Sequence, residues 1–203
     1  MFKSFLAAFV IASSFCTPPP RQGPKQVNAD AERPVLDTTT ERYAVYSALL
    51  NERFGDRAPK FLVIQSETED DSTEQSDERW DNLKKALEPC SHSVVDDYRI
   101  RNVQPATVEN KFRVPIRVVL VSKQDVDRFF GEGGREWEAF YRQYPKAEGL
   151  IRLSNVGFNP EMNQALVYFA DSCGGLCGSG GLLLMVKKDG NWTFKEALSS
   201  WVS

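Results

Sequence analysis

Apolar residues in the first half of the chain recur mostly at the spacing of an α-helix. Across 41–54 they fall three or four positions apart, and Gly55 follows as a stop signal. The segment 135–144 repeats this spacing with four aromatic residues, and Pro145 ends it. Shorter helices are predicted around Trp80, after Pro89 and from a cap at Ser122.

From Gly149 onward the pattern changes to short apolar runs that are separated by turn residues. Asp189-Gly190 is a strong tight-turn dipeptide between the last two runs. The predicted strands are 150–158, 164–170, 182–187 and 192–194, with earlier runs at 61–64 and 116–121. The order predicts an α+β domain, in which N-terminal helices pack on a C-terminal antiparallel meander of about four strands plus one or two earlier strands.

The segment 173–181, called the glycine segment below, places two cysteines and five glycines between two predicted strands. Because glycine reaches positive φ without strain, we expect a sharply folded loop there. It contains no acid, base or nucleophile beyond the two thiols. We take four glycines of this segment as the candidate functional loop: Gly174, Gly175, Gly178 and Gly180.

Cys173 and Cys177 enclose three residues, and in an oxidising compartment we expect a disulfide between them. The alternative is a redox-active pair, although the usual redox spacing has two intervening residues. Cys16 and Cys90 are left over, and a bridge between them stays open.

The first residues have the features of an export signal. Lys3 precedes an apolar run over 5–12, and Ala12-Ser13-Ser14 supplies the small residues that signal peptidase needs. We predict a signal peptide over 1–15, a proline-rich tether over 16–40 and a single domain over 41–203. The protein is then secreted or periplasmic. A lipid anchor at Cys16 is the alternative, although Phe15 is a poor fit before a lipidated cysteine.

Composition narrows the class of protein further. The net charge of −3 argues against nucleic-acid binding, and no apolar run is long enough to span a membrane in the mature chain. The acidic stretch 67–81 reads as a solvated loop leading into a helix, because it lacks the glycine and ligand alternation of a calcium loop.

No recognisable catalytic or metal-binding pattern is present. His92 is the only histidine, and Cys90-Ser91-His92 is no signature, since catalytic partners are rarely neighbours in sequence. A zinc site from Cys90, His92, Cys173 and Cys177 would have the right ligands at poor spacing. We predict no catalytic residue, no metal and no cofactor. The following aromatic residues are expected in the core, with a ligand groove as the alternative: Trp137, Phe140, Tyr141, Tyr144, Trp192 and Trp201.

The chain resembles a group of uncharacterised bacterial proteins that are mostly predicted to be exported. The shared motifs are Trp137-x-x-Phe140-x-x-x-Tyr144-Pro145, Leu153-Ser154-x-Val156-Gly157-Phe158-Asn159, Gln164-Ala165-Leu166-Val167-Tyr168, the glycine segment and Trp192. The resemblance covers the last third of the chain well and the first half thinly. It implies a shared fold and export, and it carries no established activity.

Two functions remain open from the sequence. The first is an exported, non-enzymatic module that binds a protein, a peptide or a component of the bacterial cell envelope. The second is an exported hydrolase with scattered carboxylates. A carboxylate with a raised pKa in an apolar pocket favours the hydrolase, whereas a flat sheet face or an exposed edge favours the binding module.

Overall fold

The computed structural model describes residues 38–56, 61–69, 76–87, 91–131 and 136–203, and within them five helices accompany one mixed sheet of seven strands. The helices are α1 (Thr38–Phe54), α2 (Asp77–Lys85), α3 (His92–Arg101), α4 (Lys123–Phe130) and α5 (Trp137–Gln143). The strands are β1 (Phe61–Gln65), β2 (Arg117–Val121), β3 (Ala147–Leu153), β4 (Gly157–Phe158), β5 (Gln164–Gly174), β6 (Cys177–Lys188) and β7 (Asn191–Val202). The predicted α+β class is confirmed.

The strand order in the sheet is β2-β1-β3-β5-β6-β7, and the short β4 pairs with β5. The C-terminal strands are antiparallel neighbours, as the meander predicts. The two earlier strands join the same sheet in parallel, because β1 pairs in parallel with both β2 and β3. Parallel neighbours need long connections across the sheet, and the helical segments supply them.

Alternating side chains of each strand point to opposite faces of the sheet, and both faces are covered. On the first face, called the α1 face, Val167 and Phe169 of β5 pack with α1 in one cluster. On the opposite face, Leu166 packs with α2 and α3. Farther along that face, Leu150 packs with α4 and α5. The sheet is thus packed against helices on both of its faces.

One predicted helix cap and one predicted turn are confirmed. The backbone N–H of Asp125 donates to the Ser122 hydroxyl at 3.1 Å, so Ser122 caps α4. Asp189 and Gly190 have φ angles of 49° and 80° between β6 and β7, and positive φ at both positions is what a tight hairpin turn requires.

The glycine segment folds sharply only at the two-residue turn Gly175-Leu176, and the rest of it is strand. β5 continues to Gly174 and β6 begins at Cys177, so both strands extend well into the segment. Positive φ among the described glycines occurs at Gly149 and Gly190 and at no glycine of the segment. The expectation that these glycines supply positive φ was therefore wrong. Gly174, Gly178, Gly180 and Gly181 belong to the strands and Gly175 belongs to the turn between them, and what Gly178 and Gly180 provide is space.

The predicted signal peptide, most of the predicted tether, Cys16 and Cys90 lie outside the described residues. Within the described part, α1 begins at Thr38, slightly before the predicted domain start.

Candidate functional site

A disulfide closes the tip of the β5–β6 hairpin. Cys173 and Cys177 are bonded with their Cα atoms 5.1 Å apart, which confirms the predicted pairing. Leu176 between them is 91% exposed. The Tyr141 hydroxyl of α5 donates to the Cys173 carbonyl at 3.0 Å. The hairpin tip is thus held both covalently and by a hydrogen bond to a helix.

The space that the glycines leave is filled by Trp201 of β7. A Cβ atom on Gly180 would lie 2.7 Å from the Trp201 Nε1 atom, and one on Gly178 would lie 3.3 Å from its ring. The same Nε1 donates to the Tyr168 hydroxyl at 3.0 Å. Small residues are required here because the indole ring lies directly against the β6 backbone.

On the α1 face, a groove of about 390 Å³ runs between the C-terminal half of α1 and the edge strand β7. We call it the α1–β7 groove. Phe169 and Leu183 contribute apolar surface from the sheet, while Glu52 and Arg53 contribute charge from α1. The full lining is Leu49, Glu52, Arg53, Phe169, Ser179, Gly180, Gly181, Leu183, Phe194, Ser200, Trp201 and Val202.

A polar network lies at one side of this groove. The Nη2 atom of Arg53 donates to both carboxylate oxygens of Asp171, at 3.2 and 3.0 Å, and to the Ser179 hydroxyl at 2.8 Å. The Ser179 hydroxyl donates to Asp171 at 2.7 Å. A nucleophilic serine needs a general base beside it, and Asp171 is already engaged by a guanidinium. The network therefore holds these three polar side chains together at the side of the groove.

Both ends of α1 are fastened to the sheet, which sets the width of the groove. At the N-terminal end, Glu41 accepts hydrogen bonds from Trp192 Nε1 and Lys187 Nζ, each at 2.7 Å. In the middle, the buried Tyr46 hydroxyl donates to the Ser154 carbonyl at 2.7 Å, and burial raises the pKa of Tyr46. At the C-terminal end, Arg53 forms the ion pair described above.

A second concave surface lies on the opposite face of the sheet, beside the hairpin tip. We call it the Arg152 cleft, and its volume is about 310 Å³. Arg152 of β3 lines it, and the Nη2 atom of Arg152 lies 3.5 Å from the Ser172 hydroxyl of β5. The full lining is Val126, Phe130, Trp137, Leu150, Arg152, Ser172, Gly174, Gly175 and Ser203.

The predicted loop glycines separate between these surfaces. Gly174 and Gly175 line the Arg152 cleft, Gly180 lines the α1–β7 groove, and Gly178 lies beneath Trp201. The predicted loop thus lies between the α1–β7 groove and the Arg152 cleft, which are on opposite faces of the sheet.

The other candidate residues do not come together in a reactive site. His92 is the first residue of α3. The zinc alternative loses two of its ligands, because Cys173 and Cys177 are bonded to each other. Over the residues that the structure describes, no group of three or more His, Cys, Asp or Glu side chains is arranged to hold a metal ion. The same part of the chain has no helix that is long and apolar enough to cross a membrane.

Three charged residues that were not predicted from the sequence define the polar chemistry of the α1–β7 groove and the Arg152 cleft. They are Arg53, Asp171 and Arg152. Arg152 interrupts the apolar run 150–153, and Asp171 follows the apolar strand 164–170. A charge inside or directly after a buried strand is unusual, since burial of a charge is costly unless it is paired. That signal was available in the sequence.

Comparison of the chain with protein-family models, with curated proteins and with solved structures finds no match.

Proposed function

We propose that this protein is an exported binding module and that its α1–β7 groove holds an extended peptide segment of another protein of the bacterial cell envelope. The observation that carries the proposal is the apolar groove of about 390 Å³ beside the edge strand of the sheet. Ligand sites are mostly concave and apolar with a few polar groups, and their volumes begin at roughly 300 Å³.

The edge of β7 favours an extended ligand. β7 is the last strand in the order of the described sheet, so one side of its backbone faces no neighbouring strand there. Ser199 to Val202 pair with β6 without a register shift, directly beside the groove. A peptide that adds to this part of the edge gains backbone hydrogen bonds, and its alternate side chains reach the groove.

The middle of β7 limits where such a peptide can pair. The register with β6 shifts twice there, near Lys195 and near Leu198, and Lys195 and Glu196 are both charged. Bulges and charges protect an edge strand against indiscriminate pairing. The expected contact is therefore short and confined to the end of β7 that borders the groove.

The chemistry of the groove defines the peptide further. Leu49, Phe169, Leu183 and Phe194 offer apolar surface, so the peptide presents apolar side chains on one side. Glu52 places a negative charge at the groove, whereas the charge of Arg53 is balanced by Asp171, so the groove favours a peptide without a large negative charge.

Export is part of the proposal. The Cys173–Cys177 disulfide supports an oxidising compartment, since such bonds persist mainly outside the reducing cytosol. The pattern over 1–15 supports a cleaved signal, and a lipid anchor at Cys16 remains its alternative. N-terminal sequencing of native protein tests this part: an intact Met1 on cytoplasmic material contradicts it.

The binding proposal is tested by selection from a displayed library of random short peptides on the full-length protein. Enriched peptides should carry apolar residues at alternate positions. Val202 lines the groove and is 84% exposed, so Val202→Asp alters the site with little effect on folding. The matched control is Ile100→Asp on α3, where the wild-type side chain is 72% exposed and lies outside the groove.

Selected peptides should bind the Val202→Asp variant about tenfold more weakly than wild type, because a charge replaces apolar contact area. The Ile100→Asp variant should bind as wild type does. Equal binding by both variants, or no enrichment at all, contradicts the groove as the binding site. Cleavage of the selected peptides during incubation would instead favour the hydrolase.

A further inference from the structure

We propose that the Arg152 cleft is a second binding site, which takes the carboxylate of a small molecule whose body is aromatic or otherwise apolar. The cleft lies on the face of the sheet opposite the α1–β7 groove, and it shares none of that groove's lining residues. The inference therefore stands independently of peptide binding.

The hydrogen-bonding capacity of Arg152 is largely unused. Its Nη2 atom lies 3.5 Å from the Ser172 hydroxyl, and its Nη1 atom lies 3.8 Å from a carboxylate oxygen of Glu69. Its Nε atom is buried without a hydrogen-bond partner in the described structure. A guanidinium has five N–H donors in a planar fork that matches the two oxygens of a carboxylate. Donors held at such long distances are available to a better acceptor.

Arg53 on the other face provides the internal comparison. Its Nη2 atom contacts Asp171 and Ser179 at 2.8–3.2 Å, so this part of the guanidinium is already committed to partners within the chain, while its Nε atom, like that of Arg152, has no hydrogen-bond partner in the described structure. Arg152 contacts its neighbours only at the outer limit of such interactions. The two arginines lie at the same end of the sheet, and the difference singles out Arg152 as the one prepared for an external anion.

The walls of the cleft specify the rest of the ligand. Trp137 and Phe130 lie on one side with ring centroids 4.6 Å apart, and Leu150 contributes apolar surface from β3. Gly174 and Gly175 border the cleft without side chains, and a Cβ on Gly175 would meet nothing within 4 Å. An aromatic or branched apolar body therefore fits between the indole and the hairpin tip, with its carboxylate directed to Arg152.

The carboxylate of Glu69 competes with a ligand carboxylate for Arg152. Its carboxylate is 3.8 Å from Arg152 and also accepts a hydrogen bond from Gln65 at 3.4 Å. A ligand carboxylate has to compete with this charge for the guanidinium, and like charges near one site repel each other. Removal of the Glu69 charge should thus strengthen ligand binding, whereas removal of the Arg152 charge should weaken it.

The test is a titration of the full-length, disulfide-bonded protein with 3-phenylpropanoate, followed by NMR. The amide signals of Gly174 and Gly175 and the indole signal of Trp137 should shift in a saturable manner. The dissociation constant should be on the order of 1 mM, as expected for a ligand of this size. Two further probes separate the contributions: the primary amide of the same acid, and acetate, which lacks the aromatic body.

The amide and acetate should each bind wild type at least about tenfold more weakly than 3-phenylpropanoate, a comparison that needs no variant. Arg152→Gln should weaken binding of the acid by a similar factor, and Glu69→Gln should tighten it about threefold. Arg142→Gln, at an exposed arginine of α5, is the control and should change nothing. Equal binding of acid and amide, or no saturable shift at the named signals, overturns the proposal. Unchanged affinity in a folded Arg152→Gln variant overturns it as well.

Discussion

At the scale of single residues, several positions have roles that depend on contacts with side chains from other elements. Gly180 and Gly178 keep the β6 backbone open for the Trp201 ring, although their density suggested a turn. Arg53 and Asp171 pair across the α1 face, whereas Arg152 contacts Ser172 and Glu69 only at 3.5 and 3.8 Å. Each of these roles depends on a residue that is distant in sequence.

Gly180→Ala should lower the free energy of unfolding by about 1–2 kcal/mol, because the new methyl group would lie within 3 Å of Trp201 and Ala170. Gly175→Ala is the matched control. It has no positive φ and an open environment, so its effect should stay within about 0.5 kcal/mol. Urea denaturation of both variants measures the difference. Equal unfolding midpoints would contradict the role assigned to Gly180.

Residue-level expectations from the sequence succeeded where the cause is local. The cap at Ser122 and the turn at Asp189-Gly190 depend only on nearby backbone groups, and both are present. The expectation of positive φ in the glycine segment failed, since the reason for those glycines is Trp201, which pairs with Gly180 on the neighbouring strand but is distant from it in sequence. The confirmed predictions depend on residues that are close in sequence, whereas the failed one depends on a residue that is distant in sequence.

At the scale of elements, the disulfide and the Tyr141 hydrogen bond hold the β5–β6 hairpin tip between the two concave surfaces. Hydrophobic periodicity predicted the helices and the C-terminal strands, because each buries one face with a regular repeat. The strands of the hairpin are longer than predicted. Glycines have no apolar side chain to signal a strand, so the pattern ends before the backbone pairing does.

Replacement of both Cys173 and Cys177 by serine should lower stability by about 2 kcal/mol without abolishing the fold, as expected for so short a covalent ring. Urea denaturation under non-reducing conditions measures the loss. Reduced and alkylated wild-type protein is the control and should lose a similar amount. Peptide mapping of native exported protein tests the bond itself. Free alkylation of both thiols in that material would contradict a structural role.

At the scale of the whole molecule, the described part of the chain forms one sheet with α1 on one face and four helices on the other. In this part a concave surface lies on each side of the hairpin tip. The α+β class was predictable, since it follows from the order of helices and strands. The parallel placement of β1 between β2 and β3 was not, because periodicity carries no information on which strands become neighbours.

The candidate site was less predictable than the fold for the same reason. The α1–β7 groove combines residues from α1, β5, β6 and β7, which only the folded sheet brings together. The sequence located the hairpin tip, and with it the wall between the two surfaces. For Arg152 and Asp171 the sequence offers only the signal of a charge inside or directly after an apolar run, and Arg53 is a single charge without any such signal.

The central claim is that a peptide occupies the α1–β7 groove. The most direct measurement is NMR mapping of methyl and backbone shifts when a selected peptide is added to the full-length protein. The largest changes should fall on Leu49, Leu183 and Val202, with slowed amide hydrogen exchange along Ser199 to Val202. Changes concentrated instead around Leu150 and Trp137 in the Arg152 cleft, with the groove signals unmoved, would contradict the claim.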